Sequence, residues 1–345
     1  MRGTKDAMKH LLLVSMAIGG IIVAEDKIKP GLTQEDWKYT LAPGVTTREV
    51  TYYSDGTACY AKVFFPKGFS AQGKTPGVVL GQGWAGSHFS IEKYGARFAD
   101  RGLVAMVIDY RGWGMSDGFA SVVGPDRVGG DYHRDEVRFT TTKADVVIKR
   151  TRLLPLRQVD DYRNAISFLQ GEPGVNPERI GVWGSSYAGG HSLVVAALDA
   201  RVKAVAVQVP GIAGQNTRPT PFRLEGKLLE DAIKRARTGQ GAEYETGFSA
   251  RRMVDVETQQ AVAEYRPMNY VEYIGTRPVL FIVAQHDQLI NNENAARAAY
   301  NILPGPKDYV EIPAITHFQM YIQDAFEQSS NAAAAWFQKY LKTDQ

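Results

Sequence analysis

Two hydrophobic periods alternate along this chain. In "TTREVTYYSDGTACYAKVFF" apolar and polar positions change every second residue on both sides of Asp55-Gly56, a dipeptide suited to the positive φ angles of a two-residue turn. An amino-terminal β-hairpin is expected there. "PGVVLGQG" reads as a short apolar strand ending in glycines, and "SIEKYGARFADRG" as a helix that Ser90 is placed to cap and Gly102 to end. "LVAMVIDYRG" is a second buried strand, "LRQVDDYRNAISFLQ" a helix, "RIGVWG" a strand running into a helix from Tyr187, and "VKAVAVQVP" a further strand. The alternation resumes late in the chain with strand "RPVLFIVAQHD", helix "NENAARAAYNIL", strand "KDYVEI", loop "PAITHFQ" and a closing helix through "NAAAAWFQKYL". Strands alternating with helices make βαβ units, so the expected fold class is α/β, with a mostly parallel central sheet flanked by helices.

Two stretches break the rhythm. Residues 112–156 have a Gly/Pro-rich start, a polar run and no clean period, and read as an insertion expected over the active-site face. Residues 211–273 are mostly polar and helical, as in "FRLEGKLLEDAIKRAR", and read as a helical lid. A length of 345 residues, against a prior of ~150 per domain, suggests two domains, yet one elaborated α/β domain over 45–345 accommodates both insertions. Upstream, Arg2, Lys5 and Lys9 precede the apolar run Leu11 to Ala24 and then Glu25 and Asp26. Residues 1–24 fit a signal peptide, so a periplasmic or secreted protein is expected, a retained helix on a cytoplasmic protein being the alternative; the run is short for a membrane span.

With 44% hydrophobic and 22% charged residues the composition is that of a globular protein, and Lys+Arg 40 against Asp+Glu 37 leaves +3 with the basic residues scattered. Nothing in that balance favours a nucleic-acid partner. The one cysteine, Cys59, excludes an intrachain disulfide and falls in an alternating run, where it reads as a buried strand residue.

The candidate chemistry lies at "GSSYAG", residues 184–189, where an apolar strand must reverse sharply into a helix. A serine hydroxyl is a poor nucleophile until a base takes its proton, a third group orients that base and donors receive the oxyanion. Small residues around the turn place Ser186 as the nucleophile, with Ala188 where glycine is usual. The backbone N–H of Tyr187, at the helix start, is one oxyanion donor, and the N–H of Trp84 in "LGQGWAGS" is the other. Of six histidines, His10 is in the leader, His88 in the oxyanion loop, His133 in the first insertion, His191 on the elbow helix, and His286 abuts an acid; His317 stands in the loop before the last helix. Asp287 ends a strand at the same edge, and the chain order Ser186, Asp287, His317 is that of an α/β-hydrolase.

From Thr46 to Leu341 the chain resembles the α/β-hydrolase superfamily. "GSSYAG" and "DYRGWGMSDG" are similar to the dienelactone hydrolase and Xaa-Pro dipeptidyl-peptidase-like, cocaine esterase-like branch, although 112–156 departs from the compact loop of that branch and Gln82-Gly83 stands where many relatives have His-Gly. The resemblance implies a serine hydrolase acting on carboxylic esters, lactones or thioesters, with a small ester or acyl molecule as partner. Peptide hydrolysis of the Xaa-Pro type, acyl transfer and a non-catalytic binding module are the alternatives, and a homo-oligomer stays open. Trp84, Trp113, Phe89 and Phe119 fall on loops near the site and could line an acyl pocket. "GGDYHRDE" gathers Asp131, His133, Asp135 and Glu136 without the fixed spacing of a ligand set, so a solvated loop is expected, with no metal and no cofactor.

Overall fold

A computed structural model describes residues 34–84, 86–122, 143–150, 152–212, 223–238 and 256–341. Strands β1 (Thr46–Ser54) and β2 (Thr57–Phe65) pair antiparallel from Ser54 opposite Thr57 to Thr46 opposite Phe65. Asp55 and Gly56 between them have φ of 50° and 75°, the doubly positive turn whose twist matches a hairpin. Then follow β3 (Thr75–Gly81), α1 (Glu92–Asp100), β4 (Val104–Ile108), β5 (Phe119–Val122), β6 (Val146–Lys149), α2 (Pro155–Gln170), β7 (Val175–Ser185), α3 (Tyr187–Leu198) and β8 (Val202–Gln208). After α4 (Gly226–Thr238) and α5 (Val256–Glu264), the chain completes β9 (Val279–Ala284), α6 (Ala298–Ile302), β10 (Lys307–Ile312) and α7 (Gln323–Leu341).

Eight strands form one sheet in the order β1-β2-β4-β3-β7-β8-β9-β10. β2 runs antiparallel to both neighbours and every other adjacent pair from β4 to β10 is parallel. The residues of β4 and β9 are all buried, because helices cover both faces, and this is why those strands read as unbroken apolar runs. Edge strands β1 and β10 carry the charged residues Arg48, Glu49, Lys307, Asp308 and Glu311, which discourage pairing with another chain. One core layer packs α2, α3 and α6 on one face; the other packs α1 and α7 on the opposite face.

Two expectations need correction, and a third gains detail. Ser90 does not cap α1: its hydroxyl donates to the Ser87 carbonyl at 2.8 Å and closes a short 3-10 turn, so the helix starts after Ile91. Gly102 does end it, at φ 83°, with Leu103 N–H bonding the Phe98 carbonyl at 3.0 Å. The 112–156 stretch, expected as an insertion, includes a separate antiparallel ribbon, β5 with β6. Val146, Val147 and Ile148 are all exposed there, so neither face is buried and no two-residue period exists to be read. The tail of the 211–273 stretch is not lid: Pro267–Ile274 is a 3-10 segment whose Met268, Val271 and Ile274 are buried with α3 in the core.

The leader 1–24 and the acidic cluster at 131–136 lie outside the described residues. Among the described residues no helix is long and apolar enough to cross a membrane, and no group of His, Cys, Asp and Glu could hold a metal ion.

Candidate active site

Strand β7 delivers Ser186 at a corner. Its φ of 56° and ψ of −121° are strained for a residue with a Cβ, a cost of order 1–3 kcal/mol that the surrounding packing must hold. The clamp is visible in the main chain: Ser186 N–H donates to the Gln208 carbonyl at 2.8 Å, and the Ser186 carbonyl accepts from Gly189 at 2.9 Å and Gly211 at 2.7 Å. Gly184 is required by close approach, since a Cβ there would meet the Ala188 carbonyl oxygen at 2.1 Å. Ala188, standing where glycine is usual, is buried and its methyl is part of the core that α3 packs against the sheet.

Asp287 and His317 reach the same corner from two loops stitched together. His286 N–H donates to the Ile315 carbonyl at 2.9 Å, Ala314 N–H to Gln285 Oε1 at 2.8 Å, and His317 N–H to Gln288 Oε1 at 3.0 Å. Asp287 Oδ2 is 2.8 Å from His317 Nδ1, and Asp287 Oδ1 accepts the N–H groups of Leu289 and Ile290, each at 2.9 Å. His317 Nε2 lies 3.1 Å from Ser186 Oγ. A carboxylate only accepts, so Nδ1 carries the proton and Nε2 turns its lone pair to the serine hydroxyl. Both the aspartate and histidine side chains are enclosed, which strengthens their attraction over what water would allow.

The loop after β3 comes up against the serine. A Cβ on Gly83 would sit 2.8 Å from Ser186 Cβ and 3.3 Å from its Oγ, so the Gly83–Trp84 peptide borders the hydroxyl. Tyr187 begins α3, where the first N–H groups of a helix have no intrahelical acceptor.

The four aromatic residues expected at the pocket separate. Trp84 is 40% exposed and meets Tyr187 edge-on, ring centroids 5.1 Å apart. Phe89 is exposed and lies tilted on His88 at 4.0 Å. Trp113 is 1% exposed and backs Trp84 at 6.5 Å without reaching open space, and Phe119 opens β5 beneath the Arg111 guanidinium at 5.6 Å. The remaining histidines are structural or lie elsewhere. His191 is buried, its Nδ1 2.7 Å from the Tyr265 hydroxyl and its Nε2 3.0 Å from Gln158 Oε1, and burial lowers its pKa to about 3. His286 is exposed, and His10 and His133 lie outside the described residues. Burial pushes the Cys59 thiol up to about 12, in keeping with a strand residue.

Sequence reasoning missed the side chains that hold these loops. Ser185, next to the serine at the corner, bonds Tyr321, and His88 is paired with Asp109. Each pairing joins segments far apart in the chain, and no spacing signals it.

The fold, strand order and corner geometry define an α/β-hydrolase. Within that class the chain belongs to the acetyl xylan esterase (AXE1) family, whose sequence model matches residues 23–217. The model of the BAAT / acyl-CoA thioester hydrolase C-terminal family matches residues 158–307. The quorum-quenching protein AidA of Acinetobacter baumannii is 24% identical over 311 residues, covering 81% of this chain and 90% of its own. The acyltransferase drtE of Aspergillus calidoustus is 22% identical over 290 residues, 75% of this chain and 84% of its own. The crystal structure of the hypothetical protein PA2218 from Pseudomonas aeruginosa superposes with a TM-score of 0.66 at 22% identity, over 91% of this chain and 100% of that one.

Proposed function

We propose that this protein hydrolyses carboxylic esters through an acyl-enzyme on Ser186. The observation that carries the reading is the continuous contact Asp287 Oδ2–His317 Nδ1 at 2.8 Å and His317 Nε2–Ser186 Oγ at 3.1 Å. His317 accepts the hydroxyl proton as Ser186 Oγ attacks the ester carbonyl, and Asp287 holds the imidazole in the required tautomer and stabilises its charged form. The N–H groups of Trp84 and Tyr187 receive the oxyanion of the tetrahedral intermediate. Its collapse expels the alkoxide, which takes the proton from His317. Water then repeats the sequence on the acyl-enzyme, and the acid departs.

Membership of an esterase family and a partial match to a thioester hydrolase family support acyl-oxygen or acyl-sulfur cleavage. The likeness to an acyltransferase supports a second fate for the same acyl-enzyme, capture by an alcohol or amine in place of water. Ser186→Ala is expected to abolish turnover of a p-nitrophenyl ester and labelling by a serine-directed phosphonate without changing the melting temperature. Full residual activity in that variant would refute the assignment, and release of free acid in the presence of added alcohols separates hydrolysis from transfer.

A further inference from the structure

Resting on that reading, with Trp84 N–H as an oxyanion donor, we infer that Asp109 is a positioning residue for the oxyanion loop. Its carboxylate is fully buried and has no part in the steps above. Oδ1 accepts the His88 N–H at 2.7 Å and the Gln82 side-chain amide, more distantly, at 3.4 Å. Oδ2 lies 2.6 Å from His88 Nδ1 and accepts the Met115 N–H at 2.8 Å. One carboxylate therefore holds Gln82 immediately before Gly83, through Oδ1, and His88 a short turn after Trp84, through both oxygens, so both ends of the donor-bearing loop are tied to the same group.

The tether is itself anchored. Asp109 N–H donates to the Tyr60 carbonyl at 2.9 Å, and the Asp109 carbonyl accepts the Ser116 hydroxyl at 2.8 Å, while Ser116 Oγ accepts Tyr60 N–H at 2.8 Å. Arg111, two residues on, donates its Nε–H to Asp161 at 2.8 Å. A Cβ on Gly114 would fall 2.0 Å from Asp109 Oδ2, so that glycine leaves the space the carboxylate fills. This accounts for "DYRGWGMS" as a mount for one buried acceptor. On its other side His88 Nε2 is 3.7 Å from Glu92 Oε1, while Glu92 Oε2 accepts from Lys62 Nζ at 2.8 Å and the Tyr39 hydroxyl at 2.6 Å. Lys62 thus balances the Glu92 charge on the Nε2 side of His88, while Nδ1 faces Asp109.

A merely structural buried pair would govern stability alone. A positioning pair governs how well the loop receives the oxyanion, which alters the transition state and leaves ground-state binding alone. Asp109→Asn places an NH2 where a donor now arrives, and is expected to lower kcat roughly 10- to 100-fold, below the ~100- to 1,000-fold cost of deleting a donor outright, with KM within about twofold. The Ki of an aryl trifluoromethyl ketone, which forms a hemiketal whose oxyanion needs the same donors, should rise in step with the loss of kcat/KM. His88→Asn keeps a donor toward Asp109 and should stay near wild type in Ki, whereas His88→Leu should follow Asp109→Asn; this pair carries the test if Asp109→Asn fails to fold. Folded variants with unchanged Ki and kcat, or His88→Asn and His88→Leu losing ketone affinity equally, would overturn the role of Asp109. Wild-type protein that forms no hemiketal at Ser186 would instead sink the underlying esterase reading.

Discussion

The hydroxyl of Ser185 lies 2.7 Å from the phenolic oxygen of Tyr321. Ser185 ends β7 immediately before the proposed nucleophile, and Tyr321 closes the 3-10 turn that begins after His317. A second neutral hydrogen bond thus joins the two segments that the Ser186–His317 contact joins. Gln208 Nε2 braces it, donating to Ser185 Oγ at 3.2 Å and to the Tyr94 hydroxyl at 3.0 Å, and burial keeps the Tyr321 phenol protonated by pushing its pKa up.

Removing that bond should misplace His317 slightly without emptying space. Tyr321→Phe is expected to cost about 1 kcal/mol of stability and several-fold in kcat. A double-mutant cycle with Ser185→Ala should return a coupling of about 0.5–1.5 kcal/mol in urea unfolding. Additive single-variant effects would show that the two hydroxyls do not act together.

The contact between Gly83 and Ser186 predicts a sharper loss. A methyl at position 83 would need space 2.8 Å from Ser186 Cβ, far inside van der Waals contact, so either the elbow or the loop must retreat. Gly83→Ala should retain a near-native melting temperature, because the loop lies at the surface edge, yet lose about 100-fold or more in kcat for a p-nitrophenyl ester. Wild-type kcat would mean that the Trp84 peptide does not serve the reaction.

His191 predicts an acid sensitivity separate from catalysis. Both ring nitrogens are satisfied in the neutral form, with Gln158 Oε1 accepting from Nε2–H and the Tyr265 hydroxyl donating to Nδ1; burial lowers its pKa from 6.5 to about 3. The unfolded chain takes up a proton near the ordinary value and the folded protein refuses it. Stability from this group is therefore whole above about pH 6.5 and declines as pH falls toward about 3, with a limiting slope of about 1.4 kcal/mol per pH unit. His191→Gln should lose less melting temperature than wild type between about pH 7 and pH 4.5. Identical losses in the two proteins would assign the acid sensitivity to other groups.

Much of the architecture is legible in local pattern because local physics produces it. Asp55-Gly56 marks the hairpin since few other dipeptides accept two positive φ angles, and β4 and β9 stand out because strands covered on both faces admit no polar position. The small residues of the elbow and the order Ser186, Asp287, His317 follow from steric demand and chain direction. Ser90 misleads, since a hydroxyl that could cap α1 finds the Ser87 carbonyl first. Trp113 misleads in another way: loop position is readable, but whether a ring faces a cleft or backs another ring depends on what packs over it.

Amino-acid order by itself determined the strand–helix alternation, the hairpin turn, the corner at 184–189 and which three side chains stand at loop or strand ends, all consequences of interactions within a few residues. Tertiary packing alone decided that Asp287 and His317 come within bonding distance of one another and of Ser186, that Ser185 finds Tyr321, and that His88 is held by Asp109. Those pairings join groups 21 to 136 residues apart, and a buried polar atom takes whichever partner the closed sheet brings to it.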